Sequence, residues 1–461
     1  MERTAPRTPR LLLLLVVPPL LATLLAVLLG PVRPCAGAPA MSSGEEKWGY
    51  VAIRPQAKMF WWLYPSKKAS VQPLVLWLQG GPGASGTGFG NFEEIGPLDI
   101  NLQPRNTTWL AAASLLFVDN PVGTGYSYVT YQDAYAHNIS TVATDMRVLL
   151  AGFFAEAKEF QTVPFYIFSE SYGGKMAAAI SLELLKAINN KEITCAFKGV
   201  ALGDSWISPL DSVLTWGPYL HATSLLDKPG LKLVMEAANA VKEAYDAGQY
   251  ANATRLWSLA EDVISSYTNG VNFYNILTQD STNHYVDTSA TKPRKKTLAK
   301  LYQTHVGRLQ QEALSQLMNG AIRKKLAIIP EDVRWGGQSE DVFTNMAADF
   351  MKPVIDMVDE LLSSGVKVTV YNGQLDLIVD TLGQESWVQK MKWPGLDAFN
   401  ELKWSPLSLV SSDNVAYHKS YGNFTFYWIL KAGHMVPLDQ GDTALELLRR
   451  VTGQESLLRE H

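Results

Sequence analysis

A serine stands where a predicted strand turns into a predicted helix. The run FYIFSESYGG at 165–174 begins as a buried-strand pattern, passes through a tight turn and enters a helix near Lys175. At such a corner a serine is held exposed as a nucleophile, and its neighbours two places away must be small because strand and helix crowd together. Ser169 and Gly173 are both small. The motif therefore predicts Ser171 as a nucleophile, with a serine–glycine turn that does no chemistry as the alternative.

A glycine-rich run follows an earlier predicted strand. Residues 77–86 are WLQGGPGASG. Consecutive glycines let backbone N–H groups turn inward with no side chain in the way, as an oxyanion hole requires. A phosphate loop is the alternative use of such glycines, but the GxxxxGK[ST] pattern is absent. We therefore favour an oxyanion hole.

A nucleophilic serine needs a histidine as its base and an acid that orients the histidine. When the serine lies at a strand–turn–helix corner, the expected chain order is serine, acid, histidine, each on a loop after a strand. His434 lies in a glycine-bearing loop after one predicted strand, and Asp376 follows another. Asp380 is a rival acid farther from the strand end. Each of these residues alone has an ordinary structural interpretation, but order and placement together predict a triad of Ser171, Asp376 and His434.

The elements that must position these residues alternate between strands and helices. Short apolar runs followed by Gly, Asn, Asp or Ser are typical of buried parallel strands, and they occur at 73–78, 115–118, 165–168, 199–202, 366–371 and 424–429. Helical spacing occurs at 142–154, 175–188, 354–362 and 443–451. This alternation predicts an α/β fold, with a mostly parallel central sheet flanked by helices.

The middle of the chain has a different pattern. Residues 207–352 are charged, rich in alanine and helical in period, with no β-branched strand runs between the helical stretches. We expect a mainly helical cap inserted at 207–352, which divides the core into 39–206 and 353–461. The polar stretch 281–296 ends in the basic cluster KPRKK, which is either a solvated loop or a processing or binding site.

The N-terminus predicts export. Residues 1–38 read as a signal peptide, because arginines precede an apolar run at 11–29 and the small residues AGA follow at 36–38. A membrane anchor is the alternative, but two prolines interrupt the run, and no second apolar stretch is long enough to span a bilayer. We expect a protein of the secretory pathway, secreted or lysosomal, without a membrane anchor.

Other features of the composition bear on export and partners. Four sequons agree with a secretory route and predict glycosylation at Asn106, Asn138, Asn252 and Asn423. One of the two cysteines lies in the predicted signal, so Cys195 has no internal disulfide partner and is expected to be a small buried hydrophobe. The net charge is −4, so the composition gives no strongly basic surface with which to bind nucleic acid. No residue spacing suggests a metal or an organic cofactor.

Five stretches together carry a family resemblance. The segments WLQGGPGASG, FVDNPVGTGYSY, SESYGG, GQLD and AGHMVPLDQ resemble the serine carboxypeptidases of the α/β-hydrolase fold, over about 48–454. The resemblance implies Ser171 as nucleophile, His434 as general base and acid, and Asp376 as the residue that orients His434. It also implies that the backbone N–H groups of Gly81 and Tyr172 form the oxyanion hole.

The resemblance further implies a site for the substrate's terminal carboxylate, made by Gln79, Glu94 and Glu170. The chain departs from the usual family pattern at three positions. Gln79 stands where the family usually has Asn, Ala84 where it has Cys, and Ser169 where it has Gly. Gln79 keeps the amide but adds a methylene, so we expect it to reshape the carboxylate site.

The expected function is release of single residues from peptides with a free C-terminus, through an acyl-enzyme, at acidic pH. Two glutamates beside a substrate carboxylate cannot all be ionised cheaply, so one must hold a proton and donate it in a hydrogen bond. Family members are often cut within the insertion, which leads us to expect cleavage near 292–296. The alternatives are an esterase or acyltransferase on the same fold, or a non-catalytic binding protein that kept the fold.

Overall fold

One eleven-stranded sheet runs through the described part of the chain. The structure is a computed structural model that describes residues 45–279, 298–409 and 413–454. The predicted signal peptide at 1–38 and the basic cluster at 292–296 lie outside the described residues. Within the described residues, no helix is long and apolar enough to cross a membrane.

The strands are numbered in chain order. They are β1 (Lys47–Arg54), β2 (Ala57–Tyr64), β3 (Leu74–Leu78), β4 (Ser114–Val118), β5 (Tyr128–Val129), β6 (Pro164–Glu170), β7 (Ala196–Gly203), β8 (Lys367–Gly373), β9 (Ser405–Ser408), β10 (Asn414–Tyr421) and β11 (Phe424–Ile429). Their order across the sheet is β1-β2-β4-β3-β6-β7-β8-β11-β10-β9, and β5 pairs with β2. The pairs from β4 to β11 are all parallel, whereas the pairs at both edges are antiparallel.

The helices are likewise numbered in chain order. They are α1 (Ile139–Glu156), α2 (Tyr172–Asn189), α3 (Pro209–Ala222), α4 (Lys228–Asp246), α5 (Tyr250–Tyr267), α6 (Leu298–His305), α7 (Glu312–Leu317), α8 (Arg323–Leu326), α9 (Ser339–Phe350), α10 (Ile355–Ser363), α11 (Thr381–Val388), α12 (Leu396–Glu401), α13 (Val436–Asp439) and α14 (Gly441–Val451). A π-helical segment, Gly86–Ile95, follows the glycine-rich run.

The central strands are buried because both of their faces are apolar. All five residues of β3 and all five of β4 are buried, which is the pattern of a parallel sheet covered on both sides. The predicted α/β class, with its mostly parallel sheet and flanking helices, is confirmed. The antiparallel strands β1, β2, β5, β9 and β10, which lie at or next to the two edges of the sheet, were not predicted. In β10 most residues are partly or fully exposed, so no continuous apolar run marks that strand.

Helices α3 to α10 occupy the chain between β7 and β8. The described residues cluster as one compact unit, so these helices pack onto the sheet and its helices. Helices α4 and α5 are neighbours in sequence and in space, and α9 ends at Phe350 beside Trp257 of α5. The cap boundaries at 207 and 352 stay a prediction.

Candidate active site

Ser171 occupies the corner between β6 and α2. Its φ of 62° and ψ of −130° lie outside the regions that residues with a side chain usually adopt. Ser169, which replaces the usual first glycine, is accommodated because its hydroxyl donates to the carbonyl of Ala201 at 3.1 Å. A Cβ on Gly173 would lie 2.4 Å from the carbonyl oxygen of Leu78, so that position must be glycine. The crowding expected of a nucleophile corner is therefore present.

The glycine-rich run lies directly against this corner. A Cβ on Gly80 would lie 2.5 Å from the Cβ of Ser171, so only glycine allows this approach. Gly81 follows and lines the same cavity as Ser171. The backbone of the run therefore lies directly against the nucleophile corner.

Asp119 anchors the far end of the glycine-rich run. It follows β4 within the FVDNPVGTGYSY stretch, and its carboxylate accepts the hydroxyl of Ser85 at 2.6 Å and that of Thr87 at 2.8 Å. It also accepts the backbone N–H of Tyr126 at 2.8 Å. Burial raises the pKa of Asp119 to about 6, although these hydrogen bonds act in the opposite direction. Asp119, within the stretch FVDNPVGTGYSY, therefore holds the end of the glycine-rich run in place.

His434 and Asp376 are joined at the carboxyl edge of the sheet. Nδ1 of His434 lies 2.7 Å from Oδ2 of Asp376, and both side chains are buried. The backbone N–H of His434 donates to the carbonyl of Tyr274 at 2.8 Å, and the Tyr274 ring packs edge-on against the imidazole at 5.0 Å. Burial lowers the pKa of His434 to about 4 and raises that of Asp376. Ser171 and His434 line one cavity.

Asp380, the rival acid, has a different task. Its carboxylate caps α11 by accepting the backbone N–H of Gly383 at 3.0 Å, and it accepts the hydroxyl of Thr215 at 2.8 Å. Burial raises the pKa of Asp380 to about 7. The carboxylate bonded to His434 is that of Asp376.

Gln79, Glu94 and Glu170 form one buried group. The amide nitrogen of Gln79 donates to Glu170 at 2.8 Å and to Glu94 at 3.3 Å, while its oxygen accepts the indole N–H of Trp77 at 2.7 Å. Burial raises the pKa of Glu94 to about 8. Burial, followed by the charge of Glu94, raises the pKa of Glu170. The two carboxyl groups therefore hold at least one proton at acidic pH.

The cavity brings most of the predicted residues together but not all of them. Gln79, Gly81, Glu170, Ser171 and His434 line it. The side chains of Glu94, Tyr172 and Asp376 are not part of the lining, and each lies next to a residue that is.

The rest of the cavity wall is largely aromatic and was not predicted. It is made by Trp206, Trp257, Phe350, Tyr274, His305, Leu309 and Ile378. The Phe350 ring stacks on that of Tyr172 with centroids 5.9 Å apart and lies 4.8 Å from Trp257. Most of this wall comes from the chain between β7 and β8. Helical periodicity there marks buried positions without showing which of them face the cavity.

Asp204 was also missed. One oxygen of Asp204, one of Asp376 and a ring nitrogen of His434 lie within 4.8 Å of one another. Such a trio has ligand atoms close enough for a metal ion, and within it His434 is bonded directly to Asp376. Asp204 directly follows β7, as Asp376 follows β8 at a short distance. The rule that identified Asp376 therefore applies to Asp204 as well.

The site combines a serine corner with a histidine that is paired with a carboxylate. Both lie at the carboxyl edge of a mostly parallel sheet, which is the arrangement found in α/β hydrolases. The molecule is of that class. Comparison with known proteins identifies its family within that class. The family model described as serine carboxypeptidase matches residues 36–454, so the chain belongs to the serine carboxypeptidase family and is a serine-type hydrolase. The family resemblance seen in the sequence is confirmed.

Similar proteins span nearly the whole chain. The retinoid-inducible serine carboxypeptidase of Rattus norvegicus is 64% identical over 418 residues, which is 89% of this chain and 92% of that protein. The protein of that name from Homo sapiens is 62% identical with the same coverage. Serine carboxypeptidase-like 51 of Arabidopsis thaliana is 45% identical, covering 90% of this chain and 94% of that protein.

A solved structure shares the fold. The crystal structure of Kex1(delta)p, a prohormone-processing carboxypeptidase from Saccharomyces cerevisiae, superimposes with a TM-score of 0.72 at 22% identity. The match covers 90% of this chain and 92% of that one. The activity expected from the sequence, that of a serine carboxypeptidase, is supported by the family model and the similar proteins, and the solved structure shows the fold.

Proposed function

We propose that this carboxypeptidase releases C-terminal residues from peptides through an acyl-enzyme formed on Ser171. The observation that carries the proposal is the 2.7 Å contact between Asp376 and His434, which lines the same cavity as Ser171. Because Nδ1 of His434 is occupied by Asp376, Nε2 is the ring nitrogen left to act on the serine hydroxyl.

The steps follow from this arrangement. His434 accepts the proton of the Ser171 hydroxyl as the oxygen attacks the scissile carbonyl, and the backbone N–H groups of Gly81 and Tyr172 stabilise the resulting oxyanion. His434 then gives the proton to the leaving amine, which departs as the released C-terminal residue. Water attacks the acyl-enzyme with His434 as base, and Ser171 is regenerated.

Gln79, Glu94 and Glu170 are proposed to hold the substrate's terminal carboxylate. A shared proton turns the glutamate pair into a hydrogen-bond donor, and the amide of Gln79, which donates to both glutamates, holds them side by side. As the pH rises through the raised pKa of Glu94, the donor is lost and a negative charge takes its place. Substrate binding should therefore be tightest at acidic pH.

Two measurements on the purified protein test this function. A fluorophosphonate should label Ser171, and labelling should be lost in Ser171→Ala. The protein should hydrolyse a peptide with a free C-terminal carboxylate and cleave its C-terminal amide far more slowly. Equal rates for acid and amide would favour the esterase or acyltransferase alternative. A protein with no adduct on Ser171 at any pH would be a binding protein that kept the fold.

We also propose a secretory route, secreted or lysosomal, with residues 1–38 removed. Its support is the signal pattern and the sequons, of which Asn106 and Asn138 are exposed and Asn252 is half-buried. Asn423 differs, because its amide nitrogen donates to the carbonyls of Leu362 at 2.9 Å and Val366 at 2.7 Å. A sugar there would cost one of these bonds, so we expect the lowest occupancy at Asn423. Mass spectrometry of glycopeptides measures this directly.

Cleavage near 292–296, within the proposed cap at 207–352, completes the proposal. The two pieces would stay together without a disulfide, because β7 and β8 pair in parallel across the cut and belong to different pieces. Terminal sequencing of protein from its native compartment should find a new N-terminus in this region. A single intact chain beginning at Pro39 would contradict it.

A further inference from the structure

Asp204 is the first residue after β7, at the edge of the sheet where the candidate site lies. Its side chain is fully buried, and its φ of 41° is positive although it is not a glycine. A residue with a side chain keeps such a conformation only where its surroundings hold it there, and residues of this kind cluster at functional sites.

Two hydrogen bonds join Asp204 to β8. Its backbone N–H donates to the carbonyl of Tyr371 at 2.9 Å, and its Oδ1 accepts the backbone N–H of Gly373 at 2.7 Å. Gly373 ends β8, and Asp376 lies three residues farther along. Asp204 therefore fixes the point from which the loop of Asp376 departs.

The second oxygen of Asp204 has a carboxyl group as its neighbour. Oδ2 accepts from no N–H or O–H group in the part of the chain that the structure describes. One oxygen of Asp376 lies within 4.8 Å of one oxygen of Asp204, and a proton on one of the two buried carboxyl groups avoids the cost of two adjacent buried charges. Burial, followed by the charge of Asp376, raises the pKa of Asp204. Interaction with Asp204 lowers the pKa of Asp376, which favours Asp204 as the group that keeps the proton and Asp376 as the carboxylate.

We propose that Asp204 is a positioning residue for the triad: as a neutral acid it donates its O–H to the carboxylate of Asp376 and holds that carboxylate in line with Nδ1 of His434. The inference rests on the proposed function and deepens it. Asp204 does not line the cavity, so it acts through Asp376 and not on the substrate.

The charged groups around Asp204 and Asp376 favour a protonated, neutral Asp204. Asp376 and His434 face Asp204 from the loops after β8 and β11, Glu170 from β6 and Tyr371 from β8. Other groups act one step away: Asp380 on Asp376, and Arg308 and Asp439 on His434. Glu170 itself favours its protonated form, and Asp376 is negative when paired with His434. A proton on Asp204 therefore avoids a second buried charge.

Three variants of the full chain test the role. Asp204→Asn keeps a donor near Asp376 in the form of an amide N–H, whereas Asp204→Ala removes the donor. Asp211→Asn is the matched control, because Asp211 is a buried carboxylate on α3 that pairs with Ser208 and Lys390 away from the cavity. The measurements are kcat and KM for one peptide with a free C-terminus across pH 4–8.

We expect Asp204→Asn to keep kcat at pH 5 within about threefold of the parent, and Asp204→Ala to lower kcat about tenfold or more with little change in KM. Losing the donor raises the pKa of Asp376, so Asp376 is protonated sooner as the pH falls. The acid limb of kcat/KM should therefore move to higher pH by about one unit in Asp204→Ala and stay in place in Asp204→Asn.

Two results would overturn the role of Asp204. The first is an Asp204→Ala variant whose kcat, and whose acid limb of kcat/KM, equal those of the parent. The second is an Asp204→Asn variant whose kcat at pH 5 is as low as that of Asp204→Ala. If Asp204→Ala does not fold, Asp204→Ser replaces it, because its hydroxyl is too short to reach Asp376. Failure of the proposed function looks different, since then the parent and Asp211→Asn would neither hydrolyse the peptide nor react with a fluorophosphonate.

Discussion

Ser171 holds its strained backbone through hydrogen bonds to the neighbouring strand end. Its N–H donates to the carbonyl of Gly203 at 3.0 Å, and its carbonyl accepts the N–H of Trp206 at 2.9 Å. Gly203 directly precedes Asp204 and Trp206 lies two residues after it, so one short segment at the end of β7 supports both the nucleophile and the acid. At the scale of single residues, the reaction depends on how firmly such backbone contacts fix a few atoms.

The first prediction concerns the triad. Ser171→Ala, His434→Ala and Asp376→Asn should each lower kcat by roughly 10⁴-fold, since each removes a group on which the others depend. For the same reason the double variants should be little worse than the single ones. Steady-state kinetics with a peptide substrate measures this, with circular dichroism to show that the fold is retained.

Asp380→Asn is the control for that series. Asparagine caps a helix as well as aspartate does, and Asp380 makes its contacts with α11 and Thr215, not with His434. We expect kcat within about threefold of the parent. A large loss in Asp380→Asn together with a silent Asp376→Asn would reverse the assignment of the acid.

The second prediction concerns the glutamate pair. The pKa of Glu94 is raised to about 8, so its proton is present at acidic pH and lost as the pH climbs through that value. KM for a free-acid peptide should therefore rise roughly tenfold between pH 6 and pH 9, with kcat less affected. Glu94→Gln carries an amide donor at every pH and should flatten this rise.

The matched substrate for this measurement is the same peptide as a C-terminal amide. It carries no carboxylate, so its KM should depend little on pH in either protein. An unchanged pH dependence in Glu94→Gln, or equal KM values for acid and amide throughout, would remove the pair from substrate recognition.

At the scale of elements, one buried ion pair ties the nucleophile helix α2 to α9. Nζ of Lys175 lies 3.0 Å from Oδ2 of Asp349, which also accepts the hydroxyl of Tyr172 at 2.9 Å. Lys175 is fully buried, and burial lowers its pKa to about 8. The residue after Asp349 is Phe350, which forms part of the cavity wall. The network therefore sets where the inserted helices stand relative to the corner of Ser171.

The third prediction tests this network. Lys175→Met should lower the free energy of unfolding by about 3–5 kcal/mol, because it leaves the charge of Asp349 buried without its partner. Lys186→Met is the matched control on the same helix: its partner Glu183 is a surface residue, and such pairs contribute little. Urea unfolding compares the two variants. An equal effect of both would show that the buried pair adds nothing to stability.

At the scale of the whole molecule, burial has made several carboxyl groups prefer their protonated form. The pKa of Asp119 is raised to about 6, that of Asp380 to about 7 and that of Glu94 to about 8. A group with a raised pKa in the folded state stabilises the fold fully below its unfolded pKa, and that contribution is lost as the pH rises through the folded pKa. His434 acts in the opposite direction below pH 6.5, because its pKa is lowered to about 4.

The fourth prediction follows from these signs. Between pH 5 and pH 8 the stability lost as the three acids ionise exceeds the stability change due to His434. The thermal midpoint of unfolding should therefore be higher at pH 5 than at pH 8, by about 5 °C or more. Asp380→Asn removes one titrating group and should lessen the loss toward pH 8. Calorimetry at several pH values measures both. A midpoint that increases toward pH 8 would contradict this account.

The sequence by itself determined the features that are local. The serine corner and the glycine run are short segments whose geometry follows from adjacent residues, so Ser171 and the run at 77–86 were predicted before any contact was known. The central strands were predicted because a parallel strand buried on both faces is apolar along its whole length. The order of serine, acid and histidine, together with strand ends, then pointed to Asp376 and His434.

Only the tertiary structure decided which distant groups meet. Periodicity shows that a segment is buried and not what it faces, so the edge strands and the aromatic wall around Trp257 were not foreseen. The position of Asp204 beside Asp376, and the hydrogen bonds from Ser85 and Thr87 to Asp119, likewise depend on strand order, which is set by long-range pairing. The pKa values of these acids are fixed by burial and by neighbours far away in sequence, and they exist only once the chain has folded.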